Sequence, residues 1–329
     1  MNILAATKER AVFDILSNQQ GLKITAALDT GRIYQAIPTT QLAIVDYDEL
    51  IAQPFAVEMV QKLLTAASAE QCSAAEFMAA SDNYLSGRKG APRGYELPQK
   101  RTIAFTSYSG GTGKTSLSLD TALYFVRQTR KRLQLPAAVI EFTYGCSALQ
   151  TLAAGEQPFL SELIGQPERE PYDFQGVHLY PMDYAAVRLM PPEQVTQYFR
   201  QQIGNHVLTI IDSSWPHGLS YTVGEEVDLW IVLSTPRIDA IENALKLRDD
   251  LALRYGQDKV IVAMNQMGGF SDSLATSSAQ ADFKIKIPRA PQSAGFFDGR
   301  LGKEVLAYLY DPLWQAYERQ RVGLFKKKA

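Results

Sequence analysis

The sequence predicts an α/β protein whose larger part is a doubly wound, mostly parallel sheet, with a smaller α/β unit ahead of it. Three observations carry that prediction. Five near-continuous apolar runs recur at 102–106, 137–142, 207–212, 229–234 and 259–265, the pattern of parallel strands covered on both faces. Helical patterns separate several of them, at 114–130 and 237–255. A glycine-rich turn joins the first run directly to the first of those helices.

The elements ahead of residue 100 follow the same logic on a smaller scale. Residues 2–6, 22–28 and 41–46 (QLAIVD) read as short strands, with helical patterns between and after them. Alternating strands and helices imply a small parallel sheet, so residues 1–84 form one unit. Residues 85–100 read as a linker: from Ser86 on, SGRKGAPRGYELPQK holds three glycines, two prolines and several charges, and buries too little apolar surface to hold a fold. The larger unit is then 101–329. The chain's 329 residues suit two domains of unequal size.

Composition removes several classes of function. A net charge of −2 gives no global attraction to nucleic acid, and none is expected as a partner. The two cysteines, Cys72 and Cys146, form no CxxC and stand near no histidine cluster, which argues against zinc. His178, His206 and His217 likewise have no ligand spacing and read as structural or solvated, and Trp215 and Trp230 as packing beside apolar strands. The N-terminal stretch lacks the apolar region of a signal peptide, and no segment approaches 18 uninterrupted apolar residues. The expected location is the cytoplasm, any membrane contact being peripheral.

The glycine-rich turn reads Tyr108-Ser109-Gly110-Gly111-Thr112-Gly113-Lys114-Thr115-Ser116. Glycines let backbone N–H groups turn inward around phosphate oxygens, and the helix N-terminus adds partial positive charge. Lys114 would neutralise the outer phosphates of a nucleotide, and the Thr115 hydroxyl would hold Mg²⁺. An ordinary Walker A loop places glycine where Tyr108 stands. The core Gly110-Gly111-Thr112-Gly113-Lys114-Thr115 instead resembles the deviant Walker A form of the MinD/ParA ATPases, a SIMIBI-type group of P-loop NTPases.

That resemblance implies ATP or ADP with Mg²⁺ as ligands and a homodimer as the assembly. It extends to Ile210-Ile211-Asp212-Ser213-Ser214, where Asp212 matches the Walker B carboxylate and would support Mg²⁺ together with Thr115. Asn265 falls where relatives read the adenine base, a task its amide suits by donating and accepting, and Pro236 where relatives shape a loop near the nucleotide. The implied catalytic set is Lys114, Asp212 and Glu141, with Ser109 to Ser116, Pro236 and Asn265 as nucleotide contacts.

Two departures bear on mechanism. The family's signature lysine, which reaches the partner's phosphates across the dimer, falls at Ser109, which has no charge to offer. The strand that ends Asp-x-Asp in the family ends Glu141-Phe142-Thr143 here; Glu141 keeps the first carboxylate, but Thr143 is a poor general base. Both changes point to nucleotide binding with weak or absent hydrolysis.

A small α/β unit ahead of such a loop resembles the CpaE/TadZ group, in which an atypical receiver domain precedes the ATPase. The resemblance implies a localisation factor for Flp (tad) pilus or secretion machinery. Asp46 occupies the phosphoacceptor position of a receiver, but the acidic pair expected after the first strand reads Ala5-Ala6-Thr7-Lys8, so a turn carboxylate in a docking module is the expectation. Residues 301–322 show a helical pattern carrying Leu313, Trp314 and Tyr317, and the chain ends in Lys326, Lys327 and Lys328. A docked terminal helix is the first reading and a peripheral membrane segment the second. An active MinD-like motor remains the alternative function. A ParA-like DNA partition protein lacks the charge, and an iron-protein-type reductase lacks a second suitable cysteine.

Overall fold

The computed structural model describes residues 1–47, 54–67, 69–85, 98–130, 135–153, 157–268, 282–289 and 300–310. The chain divides into two compact units, Met1–Lys100 and Arg101–Ala329. Most of the linker and all of the tail from residue 311, with Leu313, Trp314, Tyr317 and the terminal lysines, lie outside the described residues.

In the first unit the chain forms β1 (Asn2–Ala6), α1 (Arg10–Ser17), β2 (Lys23–Ala26), α2 (Thr30–Ala36), β3 (Leu42–Val45), α3 (Pro54–Ala66), β4 (Glu70–Cys72), α4 (Ala74–Ala79) and α5 (Ser81–Leu85). The strands pair in parallel in the order β2-β1-β3-β4. That is the flavodoxin-like order through its fourth strand. β1 and β3 are apolar at nearly every position because both faces are covered. Ile3, Ala5, Leu42 and Ile44 share a core with Val12 and Leu16 of α1 and Phe77 of α4. The alternate side chains Leu4 and Ala43 are buried as well.

Strand β4 is short and carries Glu70 and Gln71, so the sequence offers no apolar run to mark it. Its helix α4 has a clear local signal, a Ser73/Glu76 capping box. Asp46 joins these pieces. One carboxylate oxygen accepts the Ala74 N–H at 2.8 Å and the other accepts the Thr7 hydroxyl. Both oxygens therefore tie the ends of β1 and β3 to the start of α4, as a turn carboxylate does. Asp46→Ala would leave a hydroxyl and an amide without this acceptor. We expect the hydrogen-exchange free energy of β1 and β3 amides to fall by about 1–3 kcal/mol, the second unit being unaffected.

In the second unit β5 (Arg101–Ser107), α6 (Lys114–Arg130) and β6 (Ala137–Phe142) are followed by α7 (Ala148–Leu152), α8 (Leu160–Gly165), β7 (Tyr172–Phe174) and β8 (Val177–Tyr180). Then come α9 (Tyr184–Val187), α10 (Pro192–Asn205), β9 (Leu208–Ser214), α11 (Gly218–Val223), β10 (Leu229–Ser234), α12 (Ile238–Tyr255), β11 (Val260–Met267), β12 (Ile285–Pro288) and α13 (Arg300–Tyr310). The eight strands lie in the order β12-β11-β10-β5-β9-β6-β8-β7. All neighbours are parallel except β7 and β8. That hairpin turns through Gln175 and Gly176, both at positive φ (58° and 94°), the backbone that a two-residue turn between twisted strands requires.

The five strands expected from apolar runs are the five central ones, and each is buried along nearly its whole length. On one face Ala138, Ile140, Ile211, Trp230 and Val262 pack with Leu163, Phe199, Ile241 and Leu251. On the other, α6 packs on β6 and β9, and α13 packs on α6. Among the described residues no helix is long and apolar enough to cross a membrane.

Gly302 sets the approach of α13 to α6. A Cβ there would lie 2.5 Å from the Thr121 Cα and 2.7 Å from its backbone nitrogen. The Gly302 N–H donates to Asp120 Oδ2 at 2.9 Å, and Tyr310 meets the Phe125 ring with centroids 5.8 Å apart. Since the neighbour is helix backbone, Gly302→Ala must push the helices apart. A loss of about 1–3 kcal/mol in denaturant unfolding of this unit is expected.

Candidate functional site

The site forms at the carboxyl ends of β5, β9 and β6, which lie side by side. Registers Phe105↔Asp212 and Glu141↔Asp212 put Asp212 level with both neighbouring strands. The loop between β5 and α6 crosses this edge. Gly111 and Gly113 have φ of 71° and 81°, a left-handed backbone that side chains resist. A Cβ on Gly110 or Gly111 would meet nothing within 4 Å, so these positions leave open space. Gly113 is the opposite case: a Cβ would lie 2.6 Å from Asn265 Nδ2.

Ser107, the last residue of β5, organises the loop from beneath. Its hydroxyl donates to the Ser109 carbonyl at 2.7 Å and lies 3.0 Å from Thr112 Oγ1. Lys114 Nζ donates to the same hydroxyl at 3.0 Å. Among the described residues Lys114 makes no ion pair. Burial lowers its pKa, partly offset by Asp212. A partly desolvated ammonium at a helix N-terminus calls for an anion.

Asp212 is the matching acid. It is 4% exposed. Burial raises its pKa to about 6; Glu141 pushes the same way, while the Thr115 hydrogen bond and Lys114 oppose the rise. A hydroxyl acting on a carboxylate beside a lysine, under a glycine loop with two residues at positive φ, is a donor set that fits Mg²⁺ and phosphate oxygens. Thr115 and Asp212 would hold the metal, and loop amides with Lys114 the phosphates. Ser116 lies in the first turn of α6, partly buried.

The other expected residues take different places. Glu141 is 2% exposed, with Oε1 accepting from Ala148 N at 2.8 Å and Oε2 from Met182 N at 3.2 Å. It fastens the start of α7 and the segment after β8 to the end of β6. Asn265 donates from Nδ2 to the Thr112 carbonyl at 2.8 Å, and its Oδ1 accepts from Gln266 N at 2.8 Å. Its amide braces the loop here, with Gln266 at φ 63° immediately after. Pro236 is two residues past the end of β10, on the other side of β5 from Asp212. Ser109 offers a backbone carbonyl to Ser107 and no charge.

A ParA family ATPase from Chlorobium tepidum TLS, 13% identical, aligns over 67% of this chain and 98% of its own, with a TM-score of 0.51. The larger unit has the ParA-type P-loop fold. MinD from Pyrococcus horikoshii OT3, complexed with Mg-ADP, is 16% identical and aligns over 66% of this chain and 98% of its own at a TM-score of 0.48. Cobyrinic acid a,c-diamide synthase from Mycobacterium smegmatis, with bound ADP and magnesium, is 12% identical over 65% and 96% at 0.49. No family model and no curated protein matches the sequence.

Within this ParA-type fold, His217 is a site-edge residue that sequence reasoning set aside. It is fully buried and lies five residues past Asp212, stacked on Phe142 with centroids 5.6 Å apart. Its sequence carries no ligand spacing, and only the adjacency of β6 and β9 reveals it. His178 and His206 also pair, at 3.0 Å between ring nitrogens, away from any ligand motif.

Asp212 and His217 oppose each other in pH dependence. Asp212 titrates near 6 in the fold against an ordinary 3.8, so its cost to stability develops as pH rises from about 4 to 6. Burial lowers His217 to about 4 from 6.5, so its contribution is lost as pH falls from 6.5 to 4. Asp212→Asn removes the first effect alone. We expect the variant to be more stable than the parent at pH 7 by about 1–3 kcal/mol. The gain should vanish by pH 4 in denaturant unfolding, and the variant's stability should fall more steeply on acidification.

Proposed function

We propose that this chain is an ATP-binding switch of the MinD/ParA superfamily that turns its nucleotide over weakly or not at all. The observation that carries this reading is the positive-φ glycine loop over Lys114, set beside the bonded Thr115–Asp212 pair at the carboxyl ends of adjacent strands. The ParA-type fold supports it, as does Mg-ADP in the MinD neighbour.

Weak hydrolysis rests on two residues. Ser109 brings no cation to stabilise charge on transferring phosphates, and Thr143 brings no carboxylate to orient water. Glu141 does not supply the missing carboxylate, because both of its oxygens already hold backbone amides. A protein that binds without rapid turnover acts through its surfaces. In that reading ATP favours a homodimer that recruits assembly proteins of a Flp (tad) pilus or related secretion system, as in the CpaE/TadZ group. The location is cytoplasmic, with the basic tail a candidate peripheral membrane contact.

Calorimetric titration with ATP and ADP in the presence of Mg²⁺, followed by phosphate release on the same sample, tests the proposal. Micromolar binding with little release is the expected result, and brisk release would restore the MinD-like motor. Lys114→Ala should weaken MgATP binding at least about 10-fold through loss of a charge-assisted contact. Ser109→Lys should raise phosphate release by about 10-fold or more. No change in release would sink the role assigned to Ser109.

A further inference from the structure

Strand β2 leaves one edge of the small sheet open. Among the described residues it pairs only with β1, at the end of the order β2-β1-β3-β4. The Lys23 N–H donates to the Met1 carbonyl at 2.9 Å and the Ala27 N–H to the Ala5 carbonyl at 3.1 Å. In a parallel ladder alternate residues turn their backbone groups to one neighbour. Lys23, Thr25 and Ala27 therefore face β1, while Ile24, Ala26 and Leu28 offer their N–H and C=O groups outward. The backbone is still extended at Asp29, with φ −101° and ψ 143°. The stretch from Lys23 to Asp29 thus presents a strand edge.

Soluble proteins commonly blunt such an edge with proline, a bulge or a row of charges. This edge reads KITAALD, has no proline, and keeps an unbroken register with β1. Ile24 and Leu28 are 37% and 48% exposed, and Ala26 between them is exposed as well. Exposed charges of opposite sign, Lys23 and Asp29, stand at the two ends. Laid antiparallel on a second copy about a twofold axis at Ala26, the stretch is self-complementary. Ala26 then meets its own copy, Ile24 meets Leu28, Thr25 meets Ala27 and Lys23 meets Asp29. The outward-facing Ile24, Ala26 and Leu28 fall in the pairs that exchange both backbone hydrogen bonds, and Lys23 and Asp29 in the closer pairs between them. Moving the axis to Thr25 or Ala27 sets Lys23 against Ala27 or Gly31 and separates Ile24 from Leu28.

We propose that the first unit binds a second copy of itself through β2, the two Lys23–Asp29 edges pairing antiparallel so that two small sheets become one continuous sheet. The twofold axis makes every contact occur twice. Backbone hydrogen bonds along the edge supply the affinity, and the Ile24–Leu28 and Lys23–Asp29 pairs fix the register. The Asp29 carboxylate has room for this role. Its Oδ1 accepts the Arg32 N–H at 2.9 Å, its Oδ2 lies 3.6 Å from Arg32 Nε, and its side chain is 62% exposed. The interface lies wholly in the first unit and needs no nucleotide, so it stands apart from the nucleotide-binding reading of the second unit.

Sedimentation of the full chain without nucleotide tests the proposal, in a Cys146→Ser background that removes the exposed native thiol. A reversible dimer is the expected result. Lys23→Glu sets like charges opposite each other at both ends of the pairing and should weaken the dimer about 10-fold or more. Ala26→Pro removes an N–H that faces away from β1 and should abolish the dimer. Under mild oxidation Ala26→Cys should form an intermolecular disulfide, its Cα standing about 5.5 Å from its copy. Lys23→Cys, about 20 Å from its own copy in this register, should not. A monomer at every concentration, a dimer as tight in Lys23→Glu as in the parent, or equal disulfide yields at positions 23 and 26 overturns the self-pairing. A monomer whose Ala26 amide resists hydrogen exchange would place another segment on this edge and overturn it too. If Ala26→Pro does not fold, Lys23→Glu and the two cysteine variants decide.

Discussion

A carboxylate buried at the end of a central strand sets the terms for this site. Asp212 is held in the acid-stabilising interior by β9, whose neighbours β5 and β6 cover it on both sides. Its charge is disfavoured there and is eased by the Thr115 hydroxyl and by Lys114. The ammonium of Lys114 is itself partly desolvated. Neither group reaches full compensation from the other, so the pair is poised for a cation and an anion arriving together. The strand order and the start of α6 bring those two groups to the same end of the sheet.

Polar side chains at strand ends divide between two tasks in this molecule. Asp46 and Glu141 each accept the first backbone amide of a short helix, α4 and α7. Such a bond satisfies a donor that a helix start leaves unpaired. Asp183 does similar work for Ser161 in α8, accepting both its amide and its hydroxyl. Asn265 braces the glycine loop from the side. Asp212 is the one of these five that lies under the glycine loop with Lys114 and Thr115 acting on its charge, which is why it, rather than a neighbour, is the metal-side candidate.

The same division separates the groups that a nucleotide loop uses from those that turnover would use. A nucleotide loop uses a glycine backbone, a lysine and a hydroxyl; here Gly111 and Gly113 take positive φ and Lys114 Nζ donates to Ser107 at the base of the loop. Turnover needs a further cation over the phosphates and a carboxylate near the attacking water. Ser109 and Thr143 supply neither, and Glu141 is fixed on Ala148 and Met182.

Much of this was legible before any coordinates. The five apolar runs became the five central strands because parallel strands buried on both faces must be apolar throughout. The glycine loop was legible because positive φ at Gly111 and Gly113 permits few other residues. Strands β4, β7, β8 and β12 were not, since each is only three or four residues long, and the edge strands Glu70–Cys72 and Ile285–Pro288 also carry charged or alternating residues. The sequence by itself determined the residue types of the phosphate loop and the missing charges at Ser109 and Thr143, because chemistry resides in side chains. Only the tertiary structure decided that Glu141 and Asp46 hold backbone amides, that Asn265 braces the loop, and that His217 meets the segment after β6. Those contacts join residues far apart in the chain, and strand order alone brings them within reach.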